Sequence, residues 1–402
     1  MTMFPPLGFF YILWKMRLRL LDLPWDLVVE ILSRVPATTL SPLRFTCKLL
    51  NDLFNDQDFI KKHLDKAAKQ GKVLMLSDLK VYSMTVDHDD NVVDPQALLN
   101  FKDFHIPVEI FKIFHCDGLL LCTTGDFRLV VWNPCTGQIS WLPILYSDRY
   151  EHKSEFVLGY DNKKNYKILR YSWAKHALNH RVIKCRVYDF GSHSWRDLDD
   201  LILKKETIIS KGVSLKGNTY WIADKQHEED RLLSFDFSTE RFKWMSIPFP
   251  SFGDDCVPRA LSVVREEGLY VLYSSISRPL QNIEIWMTTD DNIGQTKDLS
   301  WSKFLSVEQV KKRFSSGMTF FMDEKKKAAV LCDLENRHNR NMDIVYIIGE
   351  DKRFMKITVG ETRLLFLRPL IYNYVPSLVR IQQGRVMMTQ RRKRKKRRIF
   401  RC

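Results

Sequence analysis

The sequence predicts an α+β chain in two parts, a small all-α module followed by a large all-β domain of repeated hairpins. Three observations carry this. Residues 23 to 35 read Leu-Pro-Trp-Asp-Leu-Val-Val-Glu-Ile-Leu-Ser-Arg-Val, with apolar residues at helical spacing. Beyond residue 70 the apolar period becomes strand-like. From there a short unit recurs, an aromatic-bearing β run, a polar turn and a second aromatic-bearing strand.

The helix at 23–35 is bounded by its own residues. Pro24 is tolerated in a first helical turn, and Asp22 just outside it is a candidate cap for the free N–H groups. Leu27, Val28, Ile31, Leu32 and Val35 make one aliphatic stripe, which Pro36 terminates. A second helical pattern carries Leu40, Leu43, Leu49, Leu50 and Leu53 and runs on toward Phe54, Phe59, Ile60 and Leu64. Burying one large aliphatic side chain contributes roughly 1.5–3 kcal/mol, yet a segment this short rarely gathers a core that offsets its ordering entropy. The missing surface is expected from a partner protein. The plainer alternative is a helical hairpin packed on the rest of the chain.

The β repeats come next. The clearest copies are Leu129 to Trp141, Val187 to Trp195 and Ser234 to Trp244, with weaker ones at Ile283 to Met287 and Ile344 to Ile347. Asn or Asp with Ser, Thr and Gly in each turn supplies side-chain hydrogen bonds and tolerance of positive φ, while Val, Tyr, Phe and Trp favour the strands. Turn starts at 133, 189, 236, 287 and 347 are 56, 47, 51 and 60 residues apart. That spacing is near the roughly 50 residues of a kelch-like propeller blade. The segments Val73 to Val86 and Ser377 to Ile381 are expected to share a sixth blade that closes the ring and protects sheet edges. Tandem β-sandwiches are the alternative architecture.

Charge and cysteines narrow the function classes. The formal net charge is +15, but nine cations fall in the last twelve residues, leaving the body at about +6. Eight cysteines without a C-x-x-C pair point away from a zinc finger or a disulfide scaffold and toward a reducing cytoplasmic or nuclear setting. His176, His180 and Cys185 lack a further ligand, and Asp87 to Asp90 reads as a solvated acidic loop, so no metal is expected. The apolar run at residues 4–14 is shorter than the roughly 20 residues that span a bilayer, and its cations follow it, so neither a membrane helix nor a secretory signal is expected.

Two resemblances add to this reading. Leu23-Pro24, Ile31 to Pro36, Leu40, Arg44, Cys47-Lys48 and Phe59 resemble an F-box, over about residues 21–64. The resemblance implies binding of a Skp-type adaptor and, through it, a cullin, with Leu23, Pro24, Leu27, Ile31, Leu32, Val35 and Leu40 as the adaptor-contacting residues. Two positions depart from the family pattern. Leu50 stands where Trp is usual, and Pro42 falls inside the second helix, where it removes a hydrogen bond unless the helix restarts with Ser41 as N-cap. His115 to Cys122, Val131 to Pro134, Leu158 to Asp161, Tyr166 to Leu169, Gly217 to Trp221, Phe235 to Phe242 and Ile283 to Trp286 resemble the type 1 F-box-associated domain, a family expanded in flowering plants. This second resemblance covers about residues 72–381 and implies capture of a protein to be ubiquitinated.

The resulting organisation is an extension at 1–20, the F-box at 21–64, a linker at 65–71, the β domain at 72–381 and a basic tail at 382–402. Trp132, Trp141, Trp195, Trp221, Trp244 and Trp286 recur at similar places in successive repeats and are expected to pack between blades. Asp117-Gly118 and Lys216-Gly217-Asn218 are expected to be tight turns, and no phosphate-binding glycine motif or nucleophile elbow is present. In the tail, Arg391, Arg392, Lys393, Arg394, Lys395, Lys396, Arg397 and Arg398 repel one another and suit the acidic grooves of a nuclear import receptor. The expected function is therefore a non-catalytic recruiting subunit without cofactor, in nucleus and/or cytoplasm, binding an unknown protein substrate. The rivals are a propeller enzyme with its site in the central channel and a nucleic-acid-associated protein acting through its tail.

Overall fold

The computed structural model of the chain describes residues 23–69, 71–87, 92–99, 108–142, 154–175, 181–198, 206–225, 231–248, 256–264, 267–275, 281–290, 293, 299–310, 312–315, 317–337, 340–350, 354–362 and 368–381. Helix α1 (Trp25–Leu32) begins after Pro24, whose φ of −53° and ψ of 137° make it the N-cap. Asp22, the candidate cap, lies outside the described residues, as do His176, His180, His88 to Asp90, residues 4–14 and the basic tail. Helix α2 (Ala37–Leu43) follows Pro36 and contains Pro42 in its last turn. The helix runs through Ser41 and Pro42 without restarting there. The chain turns through Arg44 to Thr46 before α3 (Lys48–Asn55) begins. Helix α4 (Gln57–Lys66) is capped by Asp56, whose Oδ1 accepts the Phe59 N–H at 2.9 Å.

Six antiparallel sheets follow. Blade 1 joins β1 (Lys72–Ser77), β2 (Lys80–Asp87) and β3 (Val92–Leu99) to the chain's last strand. Blade 2 holds β4 (Ile110–Cys116), β5 (Leu119–Thr124), β6 (Leu129–Asn133) and β7 (Gln138–Trp141), and blade 3 holds β8 (Ser154–Tyr160), β9 (Tyr166–Lys175), β10 (Arg181–Asp189) and β11 (Ser194–Asp197). Blade 4 has β12 (Glu206–Ile208) and β13 (Val213–Leu215) both on β14 (Asn218–Lys225), then β15 (Arg231–Asp236) and β16 (Arg241–Met245). Blade 5 contains β17 (Cys256–Val264), β18 (Gly268–Ser275), β19 (Gln281–Thr288) and β20 (Trp301–Val310). Blade 6 contains β21 (Thr319–Asp323), β22 (Ala328–Arg337), β23 (Arg340–Gly349) and β24 (Phe354–Thr362). The first strands β4, β8, β13, β17 and β21 neighbour one another around the axis. The architecture is a six-bladed propeller, not a row of sandwiches.

The two ends of the domain share one blade as expected, here blade 1, but through a different strand. β25 (Leu370–Tyr374), not residues 377–381, pairs antiparallel with β1, from Leu76↔Leu370 to Lys72↔Tyr374. Residues 375–381 continue as an extended strap. Both Asp117 and Gly118 have positive φ, 48° and 75°, the arrangement of a type I′ hairpin, and a Cβ on Gly118 would lie 2.7 Å from the Val375 carbonyl oxygen. Lys216-Gly217 makes the same turn, with φ of 49° and 84°.

The repeating unit owes its turn to one side chain. Asn133 Oδ1 accepts from the N–H groups of Cys135 and Thr136 at 2.9 and 3.2 Å, Asp189 Oδ1 from Gly191 and Ser192 at 2.6 and 3.2 Å, and Asp236 Oδ1 from Ser238 and Thr239 at 2.7 and 3.3 Å. Trp132 and Trp221 are buried, and Trp141, Trp195, Trp244 and Trp286 are partly buried against the clusters that fill the spaces between sheets. Packing is the role they were expected to have.

His115 couples ring closure to pH. Its Nε2 accepts the Gly118 N–H at 3.1 Å, and its ring meets Tyr374 of β25 edge-on at 5.4 Å. Burial pushes its pKa down to about 4 from the free imidazole's 6.5. The unfolded chain therefore takes up this proton more readily. The stabilisation is complete above about pH 6.5 and is lost as pH falls toward 4. The difference in unfolding free energy between wild type and His115→Asn is predicted to fall by up to about 3 kcal/mol between pH 7 and pH 4, measured by urea titration. A pH-independent difference would contradict the assignment.

Candidate functional site

The apolar stripe of α1 is wider than one contact face, and the structure splits it into two rows. Val28 and Leu32 point inward, with exposures of 0% and 3%, while Leu27 and Ile31 point outward, at 51% and 43%. Residues four apart in a helix lie one above the other, so 28/32 and 27/31 form adjacent rows about 100° apart. Leu23, Trp25, Phe45 and Leu49 of the same module are exposed as well. Among the described residues, these six side chains and Phe127 are the large hydrophobics left exposed. Six of seven on one small module is a concentration that marks an interaction surface.

This sorts the residues expected to contact an adaptor. Leu23, Pro24, Leu27 and Ile31 are exposed. Val35 is half-buried, with its carbonyl accepting the His63 Nε2–H at 2.8 Å. Leu32 and Leu40 are corrections to the expectation: at 3% and 0% exposure they are core residues that support the surface from beneath. Leu32 lies in the inner row of α1 and Leu40 on α2, and both join the apolar cluster shared with the propeller. Trp25, Phe45 and Leu49 were missed by the sequence reading. The signal for Phe45 was present in Pro42, which ends α2 and puts Phe45 on an outward turn.

The inner face is anchored twice. Glu30 on α1 accepts from Lys62 at 2.8 Å, Lys66 at 2.9 Å and Arg34 at 2.7 Å, which ties α1 to α4. Those cations, Lys62 foremost, hold the Glu30 carboxyl well below the usual carboxylate range. Below the helices, Val28, Leu32, Leu40, Leu50, Phe54, Phe59 and Ile60 belong to one apolar cluster with Phe114, Leu119, Leu158, Ile168, Phe190, Phe237, Val379 and Ile381 of the propeller. The Ser41 hydroxyl donates to the Cys135 carbonyl at 2.6 Å, and Arg44 Nη2 donates to the Thr136 carbonyl at 2.5 Å. Both acceptors lie in the Asn133 turn of blade 2. The helical module therefore sits on the rim formed by the β6–β7 and β8–β9 turns. The opposite rim carries the Gly125 to Arg128 turn, where Phe127 meets Phe111 edge-on at 6.0 Å.

Within the ring, Lys112 Nζ pairs with Glu155 at 2.8 Å beside a cavity of about 240 Å³. Among the described residues no three His, Cys, Asp or Glu side chains converge as metal ligands. The cysteines among them are free thiols, and burial pushes the Cys135 thiol up to about 11, so it is protonated at neutral pH.

A family model described as the F-box domain matches residues 20–62, and a model described as the F-box associated beta propeller domain matches residues 72–381. This chain belongs to the F-box proteins with an F-box-associated β-propeller. A protein of Arabidopsis thaliana named as an F-box protein is 46% identical over 94% of this chain and 99% of its own length. A second Arabidopsis protein, named as an F-box/kelch-repeat protein, is 42% identical over 93% of this chain and 99% of its own length. The match extends from one module through the other in a single chain.

The two rows of α1 are predicted to respond differently to substitution. Leu40→Ala removes a fully buried side chain and is expected to destabilise the helical module by about 2–5 kcal/mol, whereas Leu27→Ser is expected to cost under about 0.5 kcal/mol. Thermal unfolding of the two variants beside wild type reads this contrast, and equal losses would refute the inside–outside assignment.

Proposed function

We propose that this F-box protein is the substrate-receptor subunit of a Skp–cullin–F-box ubiquitin ligase and is itself non-catalytic. The F-box binds the Skp-type adaptor, and cullin is reached through that adaptor. Supporting this reading are the exposed row of Leu27 and Ile31 and the exposed Leu23, Trp25, Phe45 and Leu49, on a module whose inner face is already occupied. Desolvating such a patch against an apolar partner contributes roughly 25 cal/mol per Å², and a cluster of large side chains at its centre makes a good hot spot. Leu32, Val35 and Leu40 act from beneath by holding α1 in place.

The propeller carries the target protein. Because the helical module occupies the rim of the β6–β7 and β8–β9 turns, the target is expected on the opposite rim, where loops rather than strands decide specificity. The tail Arg391 to Arg398 serves as a nuclear import signal, so the protein works in the nucleus as well as the cytoplasm.

Leu27→Asp combined with Ile31→Asp is predicted to abolish co-purification of a Skp-type adaptor while leaving the melting temperature of the chain near that of wild type. Both positions are exposed, so the change does not require the module to unfold. Retained adaptor binding would refute this surface. For the tail, replacing Arg391 to Arg398 with serine is predicted to shift the full chain from nucleus to cytoplasm in fluorescence imaging; an unchanged nuclear fraction would rule the signal out.

A further inference from the structure

The joint between the helical module and the propeller holds a cavity of about 380 Å³, bounded by α4, the blade 3 turns and the strap. Four cations line it: Lys61 from α4, Lys163 and Lys164 from the β8–β9 turn, and Arg380 from the strap. Asp189 is the acidic residue in this lining, and its Oδ1 already accepts the N–H groups of Gly191 and Ser192. Four cations against one carboxylate leave a formal charge of +3 in the lining.

The neighbouring carboxylates neutralise part of this charge, Lys164 and Lys61 each having an acidic partner outside the lining. Lys164 reaches Asp117 at 3.3 Å while its ammonium lies 3.7 Å from the Tyr160 ring centroid. Asp58 approaches Lys61 only at 4.0 Å, on the exposed side of α4. Asp161 is spent on its own turn, accepting from the backbone of Lys163 and Asn165, both at 2.9 Å. Arg44 and Arg380 are each half-buried near the strap. Burial lowers both guanidinium pKa values, and Arg380 lowers that of Arg44 further. Arg44 Nη2 is satisfied by the Thr136 carbonyl, but its Nε is buried without an acceptor among the described residues. Half-buried like charges that feel one another are unfavourable unless an anion joins them.

We propose that this cavity binds a compact polyanion carrying two or more phosphates, which bridges α4 of the F-box to the strap and blade 3 of the propeller. One monovalent anion can meet one or two of these cations, whereas clustered phosphates can match several with charge-assisted hydrogen bonds. Ile60, Leu64, Phe190, Val379 and Ile381 form the apolar part of the wall, and the cavity's size suits a small ligand. Bound there, the anion stiffens the joint and fixes the angle between the adaptor-binding surface and the propeller. The proposal stands independently of the recruitment reading.

Tripolyphosphate is the probe, titrated into the full chain by calorimetry and thermal unfolding, with sodium chloride at matched ionic strength as reference. Three further full-length chains are measured: Arg380→Ala with Lys163→Ala, Lys61→Ala with Lys163→Ala, and a chain with residues 391–398 replaced by serine. The second pair alters only exposed side chains and keeps the test valid if loss of Arg380 impairs folding. Saturable stabilisation beyond the salt reference, weakened at least about tenfold by either cavity pair and unchanged by the tail replacement, is the expected result. Binding lost only with the tail, equal binding in the folded cavity variants, or stabilisation no larger than that of salt would overturn the proposal. Adaptor co-purification is expected to persist in the cavity variants, which separates this test from that of the recruitment reading.

Discussion

The segment 370–381 is the constraint on which the other features depend. β25 completes blade 1 by pairing with β1, its Ile371 N–H donates to Thr319 Oγ1 of blade 6 at 2.7 Å, and Tyr372 and Tyr374 donate to the carbonyls of Ile113 and Gly118 in blade 2. One strand thus bonds to three blades. The strap then continues across blade 2, where Asn133 Nδ2 donates to the carbonyls of Ser377 and Val379 at 3.1 and 2.8 Å and Gln138 Nε2 donates to that of Ile381 at 2.8 Å. Leu378, Val379 and Ile381 enter the apolar cluster shared with the helices. The end of the β domain therefore closes the ring and furnishes part of the helical module's seat.

That seat explains the character of the helical module. A bundle of four short helices has little interior of its own. Here its inner row is covered by the propeller, so the outer row of α1 remains exposed without leaving the module unsupported. Both readings of the sequence are thereby reconciled: the hairpin packs on the rest of the chain, and it still carries an unfilled apolar face. Phe190 and Phe237, each next to the Asp that builds a blade turn, supply aromatic bulk to the same cluster, so the repeat serves turn formation and seating together.

Much of this was legible from residue chemistry. The Asn133, Asp189 and Asp236 turns, the type I′ turns at 117–118 and 216–217 and the tryptophan packing follow from local rules that act within a few residues. The ring closure was legible as a need to protect edges, but not its strand. Residues 377–381 and 370–374 are both short apolar runs, and only the hydrogen bonds of β1 distinguish them. The α1 stripe was read as one face because spacing alone gives the width of an apolar band and not the line dividing core from surface. Leu32 and Leu40 thus joined Leu27 and Ile31 in the expected contact set, although tertiary packing separates them. The cations at the joint were not legible as a group, since Lys61, Lys163, Lys164 and Arg380 come together only in three dimensions.

The account's central claim is that an F-box seated on its propeller offers the outer row of α1 to an adaptor. Amide hydrogen exchange of the full chain, with and without a saturating Skp-type adaptor, tests it most directly. Added protection confined to α1 and the turn around Phe45, with blades 5 and 6 unchanged, is the predicted result. Unaltered exchange across α1, or protection spread over the propeller instead, would contradict it.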